Sequence, residues 1–359
     1  MPHSPYYGAI DTTPLFLVLF CELMDWLDDD ALYRELMPAV RLALDWIDRF
    51  GDLDGDGYLE WRQWGPASLY NQAWKDSHDS YFYPDGSPTE QPTASAEIQG
   101  YVYDAKLRLA ALYGRKGEVE LGAELGRQAA ALRERFNRDF WVAEEQFFAQ
   151  ALDGQKRQVT SVSTNPGHCL WSGLLDPDRA AAVAKRLLAD DLFSGWGVRT
   201  LSSRSPRFNP MSYHNGSIWP HDNSLIAAGL RRYGHDEAAN TIITGIFRAG
   251  LRFHELRLPE LFCGFTRDEV FHSMPAEYPV ACNPQAWAAG SPLLFVRTIL
   301  GLQPDAARRR LTLRPRLPDW LDHVRLTKVQ VGPNFVDLIV SAAGVETTRN
   351  TGEVEIVVE

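Results

Sequence analysis

Three stretches concentrate side chains that can move protons or hold hydroxyl groups. Residues 71–86, NQAWKDSHDSYFYPDG, place Trp74, Lys75, Asp76, Ser77, His78 and Asp79 in six consecutive positions. Polar groups packed this densely are either solvated or line a cleft, and the flanking Trp74, Tyr81 and Tyr83 favour the cleft. Residues 208–223, FNPMSYHNGSIWPHDN, crowd His214, Asn215, Trp219, His221 and Asp222 at a helix entrance. Residues 257–265, RLPELFCGF, carry Glu260 after a proline in an otherwise apolar run, and Gln285 and Trp287 begin the helix that follows. A carboxyl in an apolar recess has a raised pKa and is prepared for proton transfer.

The chemistry that suits this set is glycoside hydrolysis. One protonated carboxyl donates to the leaving oxygen, and an opposed carboxylate activates water or attacks the sugar carbon. Residue types alone leave open whether Asp76 or Asp79 is the acid. Two histidines seven residues apart with an Asp nearby also admit a metal reading, against which no short ligand motif such as HExxH is present. In PTASAEIQGYVYDAK, Glu97 and Gln99 fall in the first turn or so of a helix. Glu97 is there either a helix-start residue, favoured by the partial positive charge of that end, or an acceptor for sugar hydroxyls. The loop Asp52-Leu53-Asp54-Gly55-Asp56-Gly57 has Asp at positions one, three and five and Gly at six, the opening of a calcium loop. Position twelve is Gln63 where such loops carry Glu, and the alternative is a tight turn that delivers Tyr58 to Trp64 toward the mouth. Calcium is thus an optional ligand, and the hydrolytic chemistry requires no cofactor.

These clusters need a frame. Residues 14–27, 31–50, 95–113, 118–138, 165–175, 178–189, 217–233, 236–251 and 284–300 read as helices, several with apolar residues at three- and four-residue spacing. Gly114, Gly234 and Gly301 mark helix ends. Residues 140–152 read as a short hairpin. After Gly301 the segments LTLRPRLP, VRLTKVQVG, FVDLIVSAAG and VEIVVE are short strands rich in Val, Ile and Thr. The expected class is all-α: a toroid of helical hairpins, open or incomplete at nine or ten helices, over residues 1–305, with a β appendage at 306–359. All three clusters then sit on loops entering helices, at the mouth of the toroid.

Length and composition agree with one large domain and a small addition, since 359 residues bury a sizeable core. The 11 Trp and 13 Tyr beside 47 acidic residues suit sugars, whose apolar faces stack on rings while hydroxyls bond to carboxylates. A net charge of −11 argues against nucleic acid and anionic membranes, which call for clustered Lys and Arg. Cys21, Cys169, Cys263 and Cys282 show no paired spacing and read as buried free thiols of a reducing compartment. The amino-terminal residues lack a basic region followed by a long apolar run, so the chain reads as cytoplasmic.

At these motifs the chain resembles the bacterial amylo-α-1,6-glucosidases and glycogen-debranching-type glycosidases, which have an (α/α)6-barrel catalytic domain. The resemblance runs from about Tyr6 to Gln303 through YYGAIDTTPLF, GDLDGDGYLEW, NQAWKDSHDS, AEIQGYVYDAK, NPGHCLW, SGWGVRTL, NPMSYHNGSIWPHDN, RLPELFCGF and NPQAWAAG. It implies Asp76, in Trp74-Lys75-Asp76, as the general acid and Glu260, ahead of Gln285-Ala286-Trp287, as the base of an inverting reaction. An inverting pair stands about 6.5–9.5 Å apart to leave room for water. The expected substrate is an oligosaccharide or α-glucan. Tyr7, Asp11, Trp74, Lys75, Asp79, Glu97, Gln99, His214, Asn215, Trp219, His221, Asp222, Gln285 and Trp287 are the candidate substrate contacts. Such proteins carry further helices before the YYG segment, so self-association or a missing amino-terminal segment is expected to complete the toroid.

Two neighbouring readings share these residues: a toroid hydrolase for another small glucoside or mannoside, and a sugar-binding remnant without turnover. A terpenoid cyclase would need an acidic run in an aromatic cavity, whereas Asp28-Asp29-Asp30 lies in a turn between helices.

Overall fold

Helices that bury every side and helices that bury one stripe alternate along this chain. The computed structural model describes residues 8–65, 68–270 and 273–359. Within them lie α1 (Thr12–Leu27), α2 (Asp30–Phe50), α3 (Ala96–Arg115), α4 (Val119–Asp139), α5 (Asn165–Ser172), α6 (Pro177–Leu187), α7 (Pro220–Arg232), α8 (Asp236–Gly250) and α9 (Ala286–Leu300). Helix α4 buries Gly122, Leu125, Ala129, Leu132 and Phe136, and α6 buries Ala180, Val183, Ala184 and Leu187, each a single apolar stripe. Helices α3, α5 and α7 are buried on nearly all faces, polar residues included.

The packing follows from that difference. Helix α1 lies on α3, α3 on α5, α5 on α7 and α7 on α9, while α2, α4, α6 and α8 back onto their preceding partners. The result is a helical toroid with an inner ring of odd-numbered helices. Glycine permits the close approach of inner neighbours: a Cβ on Gly229 of α7 would stand 2.4 Å from the backbone nitrogen of Trp171. On the far rim, Arg297 of α9 meets Glu22 of α1 at 2.6 Å. A cavity of about 1050 Å³ opens there, among the carboxyl-terminal ends of the inner helices and the strands after α9.

Helix ends are set locally. Asp29 caps α2 by accepting from the N–H groups of Ala31 and Leu32. The Asp28-Asp29-Asp30 run is therefore a helix junction, with Asp28 left-handed at φ 47°. Pro166, Pro177 and Pro220 stand in the first turns of α5, α6 and α7.

The class needs one correction, because the fold is not purely all-α. Two-residue strands β1 (Ala94–Ser95), β2 (Trp141–Val142), β3 (Phe147–Phe148), β4 (Ala151–Leu152) and β5 (Gln158–Val159) lie in the loops. β2 and β3 form a hairpin, and β4 pairs with both β1 and β5. Strands this short satisfy loop backbone and give little periodicity to read. After α9 come β6 (Gln303–Asp305), β7 (Arg310–Leu313), β8 (His323–Val331), β9 (Asn334–Ser341), β10 (Gly344–Asn350) and β11 (Glu355–Val358). They form two three-stranded sheets, β11-β7-β6 and β10-β9-β8. The N–H of Gly332, in the β8–β9 turn, bonds Trp26 O at 2.7 Å, fastening the sheets to the end of α1. No described helix is long and apolar enough to cross a membrane.

Candidate active site

The amino-terminal ends of the inner helices gather the chemistry. Asp11 precedes α1, the Asp76 loop leads toward α3, Trp219 precedes α7, and Gln285 caps α9 by accepting from Trp287 N–H at 2.9 Å. The loop holding Asp76 is fixed from both sides. Trp74 and Lys75 turn into the protein, and the buried Lys75 ammonium donates to Thr200 O at 2.7 Å. Asn71 Nδ2 donates to Ser77 O at 2.7 Å, and Ser80 Oγ donates to Lys75 O. Asp76 is left facing solvent at the mouth.

Glu260 sits opposite on a different support. Ile218 and Phe262 exchange backbone hydrogen bonds at 2.9 and 3.0 Å, and Glu260 N–H bonds Cys282 O at 3.0 Å. The Glu260 side chain is 5% exposed. Tyr213 Oη donates to its Oε1 at 2.8 Å and the N–H of Cys282 to its Oε2 at 3.0 Å, so both oxygens are held.

The two carboxyls share one field. Asp76 is raised above the usual carboxylate range, first by the walls that exclude water around it and further by the charge of Glu260. Asp76 remains open to solvent, so this is a group in a recess with water on one side. Tyr213 is pushed up by burial and by Glu260, and feels Asp76 as well. Asp11 is raised to about 7, chiefly by burial, with Glu97 and Asp76 adding to it. Burial lowers Lys75 to about 8. His214 and His221 fall well below their ordinary value for the same reason, which makes them neutral hydrogen-bonding groups at pH 7.

Aromatic rings bind the cluster together. Trp74 stands edge-on to His214, Trp219 and His221, with centroids at 5.6, 5.7 and 5.2 Å. His221 stacks on Trp287 at 4.1 Å and 8°. Trp287 is 36% exposed, which leaves ring surface free at the mouth. Asn215 Nδ2 donates to Asp79 O, and Ser77 Oγ shares a 2.7 Å hydrogen bond with His214 Nδ1, so segments 71–80 and 208–217 form one wall. Asp79 and Asn215 also line a polar notch of about 520 Å³ with Asp85, Arg207, Asn209 and Ser212.

Several expected contacts lie elsewhere. Glu97 is wholly buried and accepts from Tyr81 at 3.0 Å, from Asn165 at 2.9 Å and from Ser95, so protein donors occupy the place proposed for sugar hydroxyls. Gln99 is also buried: its amide bonds Leu59 N–H, Leu59 O and Ser95 O, fastening the 51–61 loop to α3. Lys75 and Asp222 are buried behind Trp74 rather than open to the mouth. Tyr58, expected at the mouth, packs instead edge-on to Phe140 at 5.3 Å. Tyr7 falls outside the described residues. Cys21, Cys169 and Cys263 are buried free thiols, whereas Cys282 is exposed because it lies on the rim beside Glu260.

The acidic loop brings Asp52, Asp54, Asp56 and Glu60 within metal-ligand reach of one another. A cation already stands among them. Lys156 Nζ lies 2.6 Å from Asp54, 2.6 Å from Asp56 and 2.9 Å from Glu60, while Asp52 accepts from the N–H groups of Gly55, Asp56 and Gly57. Lys156 thus offsets part of the loop's negative charge and takes the place among three of its four carboxylates that a metal ion would need. Lys156 lies about a hundred residues away in sequence and carries no local signal. Tyr213 and His168 lay inside recognised motifs, and only packing distinguishes them.

A ring of paired helices with carboxyls and aromatic rings gathered at one mouth matches the architecture of helical-toroid glycoside hydrolases. The family model of the mannosylglycerate hydrolase MGH1-like glycoside hydrolase domain matches residues 3–261, and the chain belongs to that family. Mannosylglycerate hydrolases MGH1 and MGH2 of Selaginella moellendorffii are each 32% identical over 88 residues, 24% of this chain and 18% of the relative. The matched segment thus spans less than a fifth of those relatives. Among solved structures, a sialidase aligns over 93% of this chain and 31% of its own, at TM-score 0.69 and 14% identity. A rhamnosidase of family GH78 from Bacillus sp. GL1 aligns over 95% and 32%, at TM-score 0.64 and 18% identity. At such identities the likeness concerns the fold.

Proposed function

We propose that the chain hydrolyses a short glycoside with inversion, Asp76 serving as general acid and Glu260 as general base. The observation that carries this is the pair itself. A carboxyl raised by its recess faces a second whose two oxygens are both held, and each lies in the other's field. Asp76 gives its proton to the glycosidic oxygen as the bond from the anomeric carbon breaks. Water attacks that carbon from the opposite face and loses a proton to Glu260, giving the inverted sugar and a free alcohol. Trp287 offers a ring for the sugar's apolar face. Asp79 and Asn215, which line the notch beside the Asp76 loop, and Asp11, whose carboxyl feels the charge of Asp76, are the candidate contacts for hydroxyls.

The family relationship favours a mannose-bearing substrate such as mannosylglycerate. The motif resemblance to debranching-type enzymes supports a second reading, an α-1,6-linked glucose on a short α-glucan. The test incubates the purified chain with mannosylglycerate, simple α-mannosides and a singly branched dextrin, and follows the released sugar and its anomer by NMR. Asp76→Asn and Glu260→Gln variants run beside it. Inverted mannose, lost in both variants, supports the first reading, and glucose from the dextrin alone transfers it to the second. A folded chain that binds these sugars without turnover overturns hydrolysis and leaves a sugar-binding module.

A further inference from the structure

Beneath the acid loop, three inner helices are joined by buried side chains. Tyr101 of α3, His168 of α5 and Asp222 of α7 are 1%, 0% and 0% exposed. Tyr101 Oη lies 2.6 Å from His168 Nδ1, and His168 Nε2 lies 2.7 Å from Asp222 Oδ1. A carboxylate only accepts, so the tautomer that satisfies both bonds carries its proton on Nε2, donates to Asp222 and accepts from the Tyr101 hydroxyl at Nδ1.

Two in-plane hydrogen bonds fix the rotation of an imidazole and leave its faces free. One face of His168 carries Trp74, stacked at 5.6 Å and 18°. His221, of the same α7 that supplies Asp222, stands at the edge of the indole. Trp74 is followed by Lys75 and Asp76, and the Lys75 side chain is itself anchored on Thr200 O. The acid therefore hangs from an indole whose bed is His168. Segment 213–219, which leads into α7, also carries Tyr213, which holds Glu260, and Ile218, which bridges to Phe262 beside it.

We infer that Tyr101, His168 and Asp222 are positioning residues: a buried clamp that sets the Trp74 indole, and through it Asp76, against the frame holding Glu260. The inference rests on Asp76 being the acid. In Asp222→Asn the imidazole loses its ionised acceptor and Trp74 loses a fixed bed. Tyr101→Phe removes one hydrogen bond while keeping the ring, a milder change of the same kind.

A loosely held acid harms reactions that need its proton more than those that do not. The test compares wild type, Asp222→Asn and Tyr101→Phe on mannosylglycerate and on mannosyl fluoride, whose leaving group needs little protonation. Circular dichroism confirms folding at the assay temperature, and Tyr101→Phe decides the matter where Asp222→Asn does not fold. The expected result is a fall in kcat of up to about 100-fold on mannosylglycerate, with fluoride hydrolysis and KM within about twofold of wild type. Equal falls on both substrates, or no fall on either, overturn the clamp. A wild-type chain that cleaves neither substrate sinks the mannoside reading by itself. The clamp is then judged by the 19F resonance of 5-fluorotryptophan at Trp74, assigned with Trp74→Phe. Displacement of that resonance in Asp222→Asn sustains the clamp, and an unmoved resonance refutes it.

Discussion

The phenol of Tyr213 donates to Glu260 Oε1 at 2.8 Å, from a ring that packs edge-on to Trp219 at 5.0 Å. One side chain thus joins the base to the aromatic wall. A hydrogen bond to a charged group is worth about 1.5–3 kcal/mol, or roughly 10- to 100-fold in rate where it holds a reacting group. Tyr213→Phe is expected to lower kcat by that factor and to lower the melting temperature as well, because a nearly buried carboxylate loses a donor. Steady-state kinetics beside a thermal melt checks both halves.

The proposed acid, Asp76, can serve only while protonated, and its pKa is raised by its recess and by Glu260. Activity is therefore expected to fall as pH rises through that raised value. Glu260→Gln removes the neighbouring charge, so Asp76 should titrate at lower pH in that variant. The 13C carboxyl resonance of Asp76, followed against pH in wild type and Glu260→Gln, should show its transition moved toward acid in the variant. A transition that stays in place contradicts the coupling.

Asp11 lies at about 7 in the folded chain against 3.8 for a freely solvated aspartate, mainly because it is buried. Between those values the folded state keeps a proton that the unfolded chain has released. The group's contribution to stability is whole below the lower value and is lost as pH rises through the upper one. Asp11→Asn should narrow the difference in melting temperature between about pH 5 and about pH 8. Parallel melts of wild type and variant at the two pH values make the comparison.

Gln99 distinguishes architecture from recognition. Its amide satisfies both backbone groups of Leu59, so Gln99→Ala leaves a buried N–H and C=O unpaired. The expected cost is about 1–3 kcal/mol per unpaired group in urea unfolding, with KM unchanged. A raised KM at unchanged stability would return Gln99 to the sugar site.

Lys156 supplies the cation of the acidic loop, so chelators and added calcium should leave the wild-type melting temperature where it is. Lys156→Met leaves Asp54, Asp56 and Glu60 without their ammonium. The variant should melt lower, and calcium should recover part of the loss, as differential scanning fluorimetry can record.

The sequence by itself determined the alternation of helices, the loops that enter them and the residues that crowd those loops. Helical periodicity, proline at first turns and dense polar motifs are local properties, carried within ten or twenty residues. Through recognised motifs it also singled out Asp76 and Glu260. Only the tertiary structure decided which polar side chains face the mouth. Glu97, Gln99, Lys75 and Asp222 have the residue types of a sugar site, and all four are buried among partners from other elements. Tyr213 beneath Glu260, His168 beneath Trp74 and Lys156 in the acidic loop depend on partners 47, about ninety and about a hundred residues away. Burial and hydrogen bonding at that range are fixed by how the helices pack, a relation between segments that no single segment contains.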